Sequence, residues 1–369
     1  MMKELFAEIE RINDPRQAYK TKHKLIDIVV IVLIGMLANA DTWEEIQIFA
    51  VSKQTLLRKY LDLPHGIPSH DTLQRVMALI HPEAMRQIQM AFNQMLSQEE
   101  GKSLQKIINI DGKTMRGTAV IEKRPLHVVS AWCKEDGVCF GQTVVHEKEN
   151  EIIAIPELLK TLTIKGSIVT LDAMGTQTKI AEQIIKQKGD YVLALKENQG
   201  NLYKDVVLYL EDKEFRTKAA YTQTIEKARS QLEKRQYYQS DDLSWLLDRQ
   251  RWKGLKSIGM VVKTIEKKGR IREETRYYIS SLPLDVETMA KAVRGHWAIE
   301  SMHWQLDVTF REDGNTTLDK NAALNLNILR KMCLPLLKRL DIGMKASLKG
   351  KRFAFCSDPV KYIEQIMQM

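Results

Sequence analysis

The sequence predicts an α/β fold with ribonuclease-H-like element order, carrying a β-rich insertion and preceded by an all-helical N-terminal domain. Three observations predict it. Residues 1–100 carry helical periodicity throughout. From Lys106 onward, short β-branched runs give three strands, then helix, strand, helix, strand, helix, with early antiparallel hairpins and later parallel crossovers. Between about Tyr221 and Leu282 the pattern returns to strands before a last helical run.

The elements follow in order. Leu25 to Ala40 reads as one strongly apolar helix, and Thr42 to Tyr60 as another with Asp41 placed to cap it. Gly66 to Asp71 is a turn leading into a helix over Thr72 to Leu79, and Pro82 opens a further helix to Leu96. Such a helical module suits DNA binding and packing or dimerisation equally well. After the polar linker Ser97 to Ser103, Lys106 to Asp111 is a strand ending in an acid, with Gly112 marking a turn. Leu126 to Cys133 and Val138 to His146 form a hairpin about Glu135-Asp136-Gly137. Ile155 to Leu162 is a helix, Ser167 to Leu171 a strand, and Thr178 to Lys188 a helix. Tyr191 to Leu195 is a strand and Asn201 to Leu210 a helix.

The main α/β domain therefore spans 104–338 and is interrupted by a β-rich block over 221–282. Part of that block is strongly basic: Arg249 to Arg276 holds 10 Lys or Arg against 3 Glu, which suits a surface for a polyanionic backbone. The segment 339–369 is a basic tail, in which Lys345, Lys349, Lys351 and Arg352 either touch DNA or keep the tail soluble.

Bulk properties narrow the class. Apolar residues make up 44% and charged residues 28%, as in an ordinary soluble globular protein. Lys and Arg number 56 against 47 Asp and Glu, a net +9 that is compatible with a polyanionic partner without requiring one. Cys133, Cys139, Cys333 and Cys356 form no CxxC or Cys/His pattern of zinc spacing, and no secretory signal opens the chain. The most apolar stretch, Leu25 to Leu37, is too short to span a bilayer and contains Asp27. A reduced cytoplasmic protein is the expectation.

Candidate chemistry starts from two acids. Asp111 and Asp172 each end an apolar run, Ile107 to Ile110 and Ile168 to Leu171, where an acid emerges at the rim of the sheet. Taken singly, each reads better as a common turn former. If the strands adjoin, the carboxylates repel unless a cation lies between them, and magnesium suits hard oxygen ligands completed by water and phosphate. A third element is the helical run Arg294 to Val308. There His296, Glu300, His303 and Asp307 fall at i, i+4, i+7 and i+11 on one stripe, beside an apolar face of Ile299, Met302, Leu306 and Phe310. Either Glu300 or Asp307 would serve as metal ligand, with the imidazoles bonding phosphate or orienting carboxylates; a His/Asp zinc site is the rival, without an HExxH pattern. Two acids from strands and one from a late helix suit two-metal phosphoryl transfer, in which no protein nucleophile is needed.

At these residues the sequence resembles the bacterial insertion-sequence DDE transposases that include the H-repeat-associated proteins. The motifs are Asn109 to Gly117 (NIDGKTMRG), Asp172 to Gln177 (DAMGTQ), Asp190 to Gln199 (DYVLALKENQ), and His296 to Glu300 with His303 to Asp313. The likeness runs from the helical N-terminal domain past Asn321. The resemblance implies a ribonuclease-H-like catalytic domain and a triad of Asp111, Asp172 and Glu300. It also implies two Mg²⁺ ions (Mn²⁺ able to substitute) and double-stranded DNA, both element ends and target, as partner. A homodimer on DNA and a cytoplasmic, nucleoid-associated location follow by analogy. Lys113 and Arg116 would grip phosphate, with Lys196, Asn198 and Gln199 on the same rim. Two positions depart from the pattern. The Tyr, Arg, Glu, Lys signature of related enzymes is Val293, His296, Glu300 and Asp307 here, leaving His296, His303 and Asp307 as auxiliary acid or phosphate contacts. A His-Gly-Arg-Ile-Glu stretch in the insertion is Arg229-Ser230-Gln231-Leu232-Glu233. The expected activity is cleavage and strand transfer at element ends; a nuclease without strand transfer and an inactive or domesticated DNA-binding remnant are the alternatives.

Overall fold

The computed structural model describes residues 2–99, 105–119, 124–145, 150–228 and 231–369. Of the sequence expectations, His146, Arg229, Ser230 and linker residues 100–103 lie outside the described residues.

Six helices open the chain: α1 (Met2–Glu10), α2 (Leu25–Leu37), α3 (Trp43–Ser52), α4 (Gln54–Leu57), α5 (His70–Leu79) and α6 (Pro82–Glu99). Apart from Asp27, α2 is apolar all round, and it is accordingly buried on nearly every side. The expected helix from Thr42 to Tyr60 breaks at Lys53. Its cap is Thr42 rather than Asp41: the Thr42 hydroxyl accepts from Glu45 N–H while the Glu45 carboxylate accepts from Thr42 N–H. Asp41 is instead buried against Arg352 at 2.7 Å.

The sheet begins with β1 (Ile107–Met115), β2 (Leu126–Cys133) and β3 (Val138–Val145). It continues through α7 (Glu151–Thr161), β4 (Ile168–Leu171), α8 (Thr178–Lys186), β5 (Asp190–Leu195), α9 (Asn201–Glu211) and α10 (Lys213–Lys218). β1 runs straight through Gly112, where a turn was expected, because residues 111–115 stay paired with β2 out to Met115–Leu126. β1, β4 and β5 are parallel and β2 runs antiparallel between β1 and β3. The resulting order β3-β2-β1-β4-β5 is the ribonuclease-H-like arrangement.

The inserted strands β6 (Ala220–Ala228), β7 (Gln231–Ser240), β8 (Ser257–Lys267) and β9 (Arg270–Ser280) extend this same sheet. β9 pairs antiparallel with β5, giving nine strands in the order β3-β2-β1-β4-β5-β9-β8-β7-β6. The β8–β9 hairpin closes on Lys268 and Gly269, both at positive φ (51° and 75°), as a two-residue loop needs to match strand twist. Two faces result from strand alternation. Ile108 and Ile110 pack with α7, α8 and α9, whereas Ile107, Ile168 and Val192 pack with α11 (Val286–Trp304).

After α11 a π-helical turn, Gln305–Thr309, replaces the straight helix read through Val308. α12 (Lys320–Arg339), α13 (Leu348–Ser357) and α14 (Pro359–Gln368) complete the chain. α12 joins the N-terminal helices, the end of α11 and residues of β2 and β3 in one apolar core. The final segment is therefore not simply a solvated tail: α13 and α14 pack back on α2 and α1, and Arg352 is fully buried. Among the described residues, no helix is long and apolar enough to cross a membrane.

Candidate active site

Asp111 and Asp172 are brought together by strand register. Ile110 of β1 stands opposite Leu171 of β4 in the parallel pairing, so the next residue of each, an Asp, emerges at the same level. Glu300 comes from α11, which lies across β1 and β4. The three acids line one cavity of about 330 Å³, together with Thr170, Lys196, Tyr203, Arg276, His296 and Trp297.

The surroundings of Asp111 are short of positive charge. Burial pushes its carboxyl up to about 7, helped by the negative charges of Glu151, Asp172 and Glu300 and opposed by the Gly112 N–H. Glu151, at the start of α7, was not singled out from the sequence. It is buried and holds His127 Nε2 at 2.7 Å, while His127 Nδ1 meets the Thr114 hydroxyl at 2.8 Å. Asp172 is fixed by its own loop, its Oδ1 accepting from the N–H groups of Met174 (3.0 Å) and Gly175 (2.9 Å). Glu300 is exposed.

The stripe of four groups on the late helix divides. His296 Nδ1 lies 2.9 Å from the Thr170 hydroxyl, which donates to Asn109 Oδ1 at 2.8 Å; burial lowers the imidazole to about 4, so it is neutral. His303 is lowered to about 3 by burial, then by the charges of Lys331 and Lys113, and its Nδ1 lies 3.7 Å from Asp111 Oδ2. Asp307 falls in the π-helical turn and leaves the cavity wall, pairing with Lys113 at 2.7 Å. π-turns recur at functional sites, and this one separates Asp307 from Glu300.

The expected phosphate contacts also divide. Lys113 is not free for phosphate: its ammonium also meets Glu312 at 2.9 Å and Asp313 at 3.2 Å, tying β1 to the segment after α11. Arg116 is exposed, with its N–H donating to Asp313 Oδ1 at 3.1 Å. Lys196 is exposed and lines the cavity. Asn198 and Gln199 donate to the Ala173 carbonyl at 2.9 and 2.7 Å, so their amides brace the loop that carries Asp172.

Among the described residues, no three His, Cys, Asp or Glu side chains stand close enough to grip an ion as they are placed. The donor set nevertheless fits a hard divalent cation. Among the described residues, no Lys or Arg side chain bonds to Asp111 or Asp172, and the cavity leaves room for the water and phosphate ligands magnesium keeps.

Residues 102–336 match the Transposase DDE domain family, and residues 6–93 match the DDE_Tnp_1-associated family. The chain is 38% identical over 373 residues to "Putative transposase YncI" of Escherichia coli O157:H7, covering 97% of this chain and 93% of that protein. It is 37% identical over 359 residues to "H repeat-associated putative transposase YhhI" of Escherichia coli (strain K12), covering 95% and 94%. Over 77 residues, 21% of the chain, it is also 38% identical to "Inactive transposase YbfQ" of that strain. With the ribonuclease-H-like sheet and the acids at its rim, these matches place the chain in the DDE transposase family.

Proposed function

We propose that the protein cleaves and joins DNA at the ends of an insertion element, with Asp111, Asp172 and Glu300 holding two Mg²⁺ ions. The observation that carries this reading is the shared cavity of the three acids, in which burial, and then the negative charges of Glu151, Asp172 and Glu300, raise Asp111 to about 7. Bound there, the ions would lower the pKa of the attacking water or 3′-hydroxyl and stabilise the leaving oxygen, with Mn²⁺ able to substitute. Asp111, which feels the charges of both Asp172 and Glu300, would hold the ions together with them. The Asp172 loop is held rigid by its own N–H groups and by Asn198 and Gln199. His303, neutral and 3.7 Å from Asp111, adds no competing positive charge beside it. Lys196 at the rim meets phosphate. The helical stretch 1–100 and the basic strands within 221–282 would supply further contacts to the DNA backbone, and two copies would pair two element ends.

Asp111→Asn, Asp172→Asn and Glu300→Gln are each expected to lower Mg²⁺-dependent nicking by about 10³-fold or more, because several kcal/mol of charge stabilisation is withdrawn. The test is incubation of wild type and Asp111→Asn with labelled element-end duplex and Mg²⁺ or Mn²⁺. Nicked and joined products, absent in the variant, support a transposase. Nicks without joining make the protein a nuclease. Tight binding with no cleavage in either overturns the catalytic reading and leaves the DNA-binding remnant.

A further inference from the structure

The inserted strands do more than widen the sheet, because one of their cations reaches the catalytic cavity. Arg276 on β9 and Lys263 on β8 sit diagonally on one sheet face, since Lys263 pairs with Glu274 and Val261 with Arg276. That face meets α11 at Trp297, three residues before Glu300. Lys263 Nζ lies 5.0 Å from the Trp297 ring centre and the Arg276 guanidinium 4.7 Å from it. The indole is thus a seat for two cations beside Glu300. Only Arg276 of the two lines the cavity with the acids.

The local charge is unbalanced. Arg235, Lys263, Arg276 and Arg294 share Glu226, Glu233 and Glu274: Arg276 Nε meets Glu274 at 2.7 Å, Lys263 meets Glu233 at 3.7 Å, and Arg294 meets Glu226 at 3.1 Å. Burial and the neighbouring charges of Arg235, Arg276 and Arg294 push the Lys263 ammonium down, as expected where positive charge is crowded. The cavity wall partly desolvates the otherwise exposed Glu300 and raises its carboxyl, and Arg276 and Lys263 oppose that rise. With Nε engaged by Glu274, the guanidinium is held against rotation at the cavity wall. Lys196 lines the same cavity from the end of β5. A phosphodiester entering between the acids needs donors of this kind, and Arg offers them in a planar fork.

We propose that Arg276, presented by β9 and seated on Trp297, binds a non-bridging oxygen of the scissile phosphate. The inserted strands thereby complete the active site from outside the ribonuclease-H-like core. This rests on the reading of the cavity as the place where DNA is cut.

The test measures binding of wild type, Arg276→Gln and Arg276→Lys to a short duplex carrying the end of the element that encodes the chain, across a salt series with chelator present. Each phosphate contact adds about 0.9 to the slope of log affinity against log salt. Arg276→Gln is expected to flatten that slope by about one, and a neutral methylphosphonate at the cleaved position to flatten it equally in wild type but no further in the variant. Arg276→Lys keeps charge and fold. It is expected to retain the slope while Mg²⁺-dependent cleavage falls about tenfold, because the fork is lost. An unchanged slope in folded Arg276→Gln, or a lysine variant that cuts as fast as wild type, overturns the proposal. Because the slope is read without divalent ion, the two readings fail separately. Asp111-dependent cleavage with an unchanged Arg276→Gln slope removes the phosphate ligand alone. A flattened slope without such cleavage removes the chemistry and keeps the ligand.

Discussion

Gly112 governs the acid content of the site through the side chain it lacks. A Cβ built there would lie 2.2 Å from Glu151 Oε1 and 2.4 Å from His127 Nε2, so the hydrogen-bonded Glu151–His127 pair rests directly on the strand beside Asp111. Gly112→Ala must therefore push that pair off β1. The expected cost is about 1–3 kcal/mol, as for other overpacked sites, read as a lower denaturant midpoint with an unchanged slope. An unchanged midpoint would mean that Glu151 and His127 are held elsewhere. In the sequence Gly112 reads as a turn because glycine after a β-branched run usually punctuates. Its real reason, room for a side chain 39 residues further on, is invisible without the fold. Asp111 and Asp172 stood out for the opposite reason: each follows its own apolar run, and the register of β1 with β4 then sets the two at one level. Glu151 and Arg276 carry no such mark, since their proximity to Asp111 and Glu300 depends on α7 docking and on β9 folding back beside β5.

At the scale of elements, the junction between α11 and α12 shows what a helical pattern conceals. The stripe of His296, Glu300, His303 and Asp307 assumes one uninterrupted helix, but the π-turn at Gln305–Thr309 carries Asp307 away to Lys113. That turn is anchored by the C-terminal segment. Arg352 of α13 donates to the carbonyls of Thr309 and Met36 and to Asp41 Oδ1 at 2.7 Å, with its guanidinium 4.3 Å from the Phe310 ring centre. A basic residue in a polar tail reads as solvated because charge is the only local information; its burial requires α2, the π-turn and α13 to meet. Arg352→Ala is expected to destabilise the protein by about 3–5 kcal/mol, since Asp41 and two carbonyls would lose a buried partner. Chemical denaturation checks this, and a loss below about 1 kcal/mol would show that water, or Arg311 already 3.4 Å from Asp41, suffices in place of the guanidinium.

The molecule as a whole is a wide sheet joined to a helical half, and one buried acid bonds across the junction. Glu312 accepts from Lys113 of β1 at 2.9 Å, from Asn327 of α12 at 2.7 Å, and pairs with Arg330 of α12 at 3.4 Å. Burial pushes its carboxyl up, but the charges of Arg330 and Lys113 more than offset this and hold it below the ordinary 4.5. A group depressed in this way binds fewer protons folded than unfolded. Its contribution is therefore fully present above about 4.5 and is lost as pH falls through the lower folded value. The protein is expected to lose stability through acid pH partly at this junction, with the loss read from denaturation midpoints over a pH series. Glu312→Gln removes the titrating group and leaves Lys113 and Arg330 short of an anion, so it should cost about 3–5 kcal/mol at neutral pH. The variant's stability should then fall less steeply in acid than that of wild type. Parallel pH curves for the two proteins would assign the acid sensitivity to other carboxylates, and would leave the sheet and the helical half joined by apolar packing around α12 and by polar contacts such as Lys331 to Ser130 and Gln142.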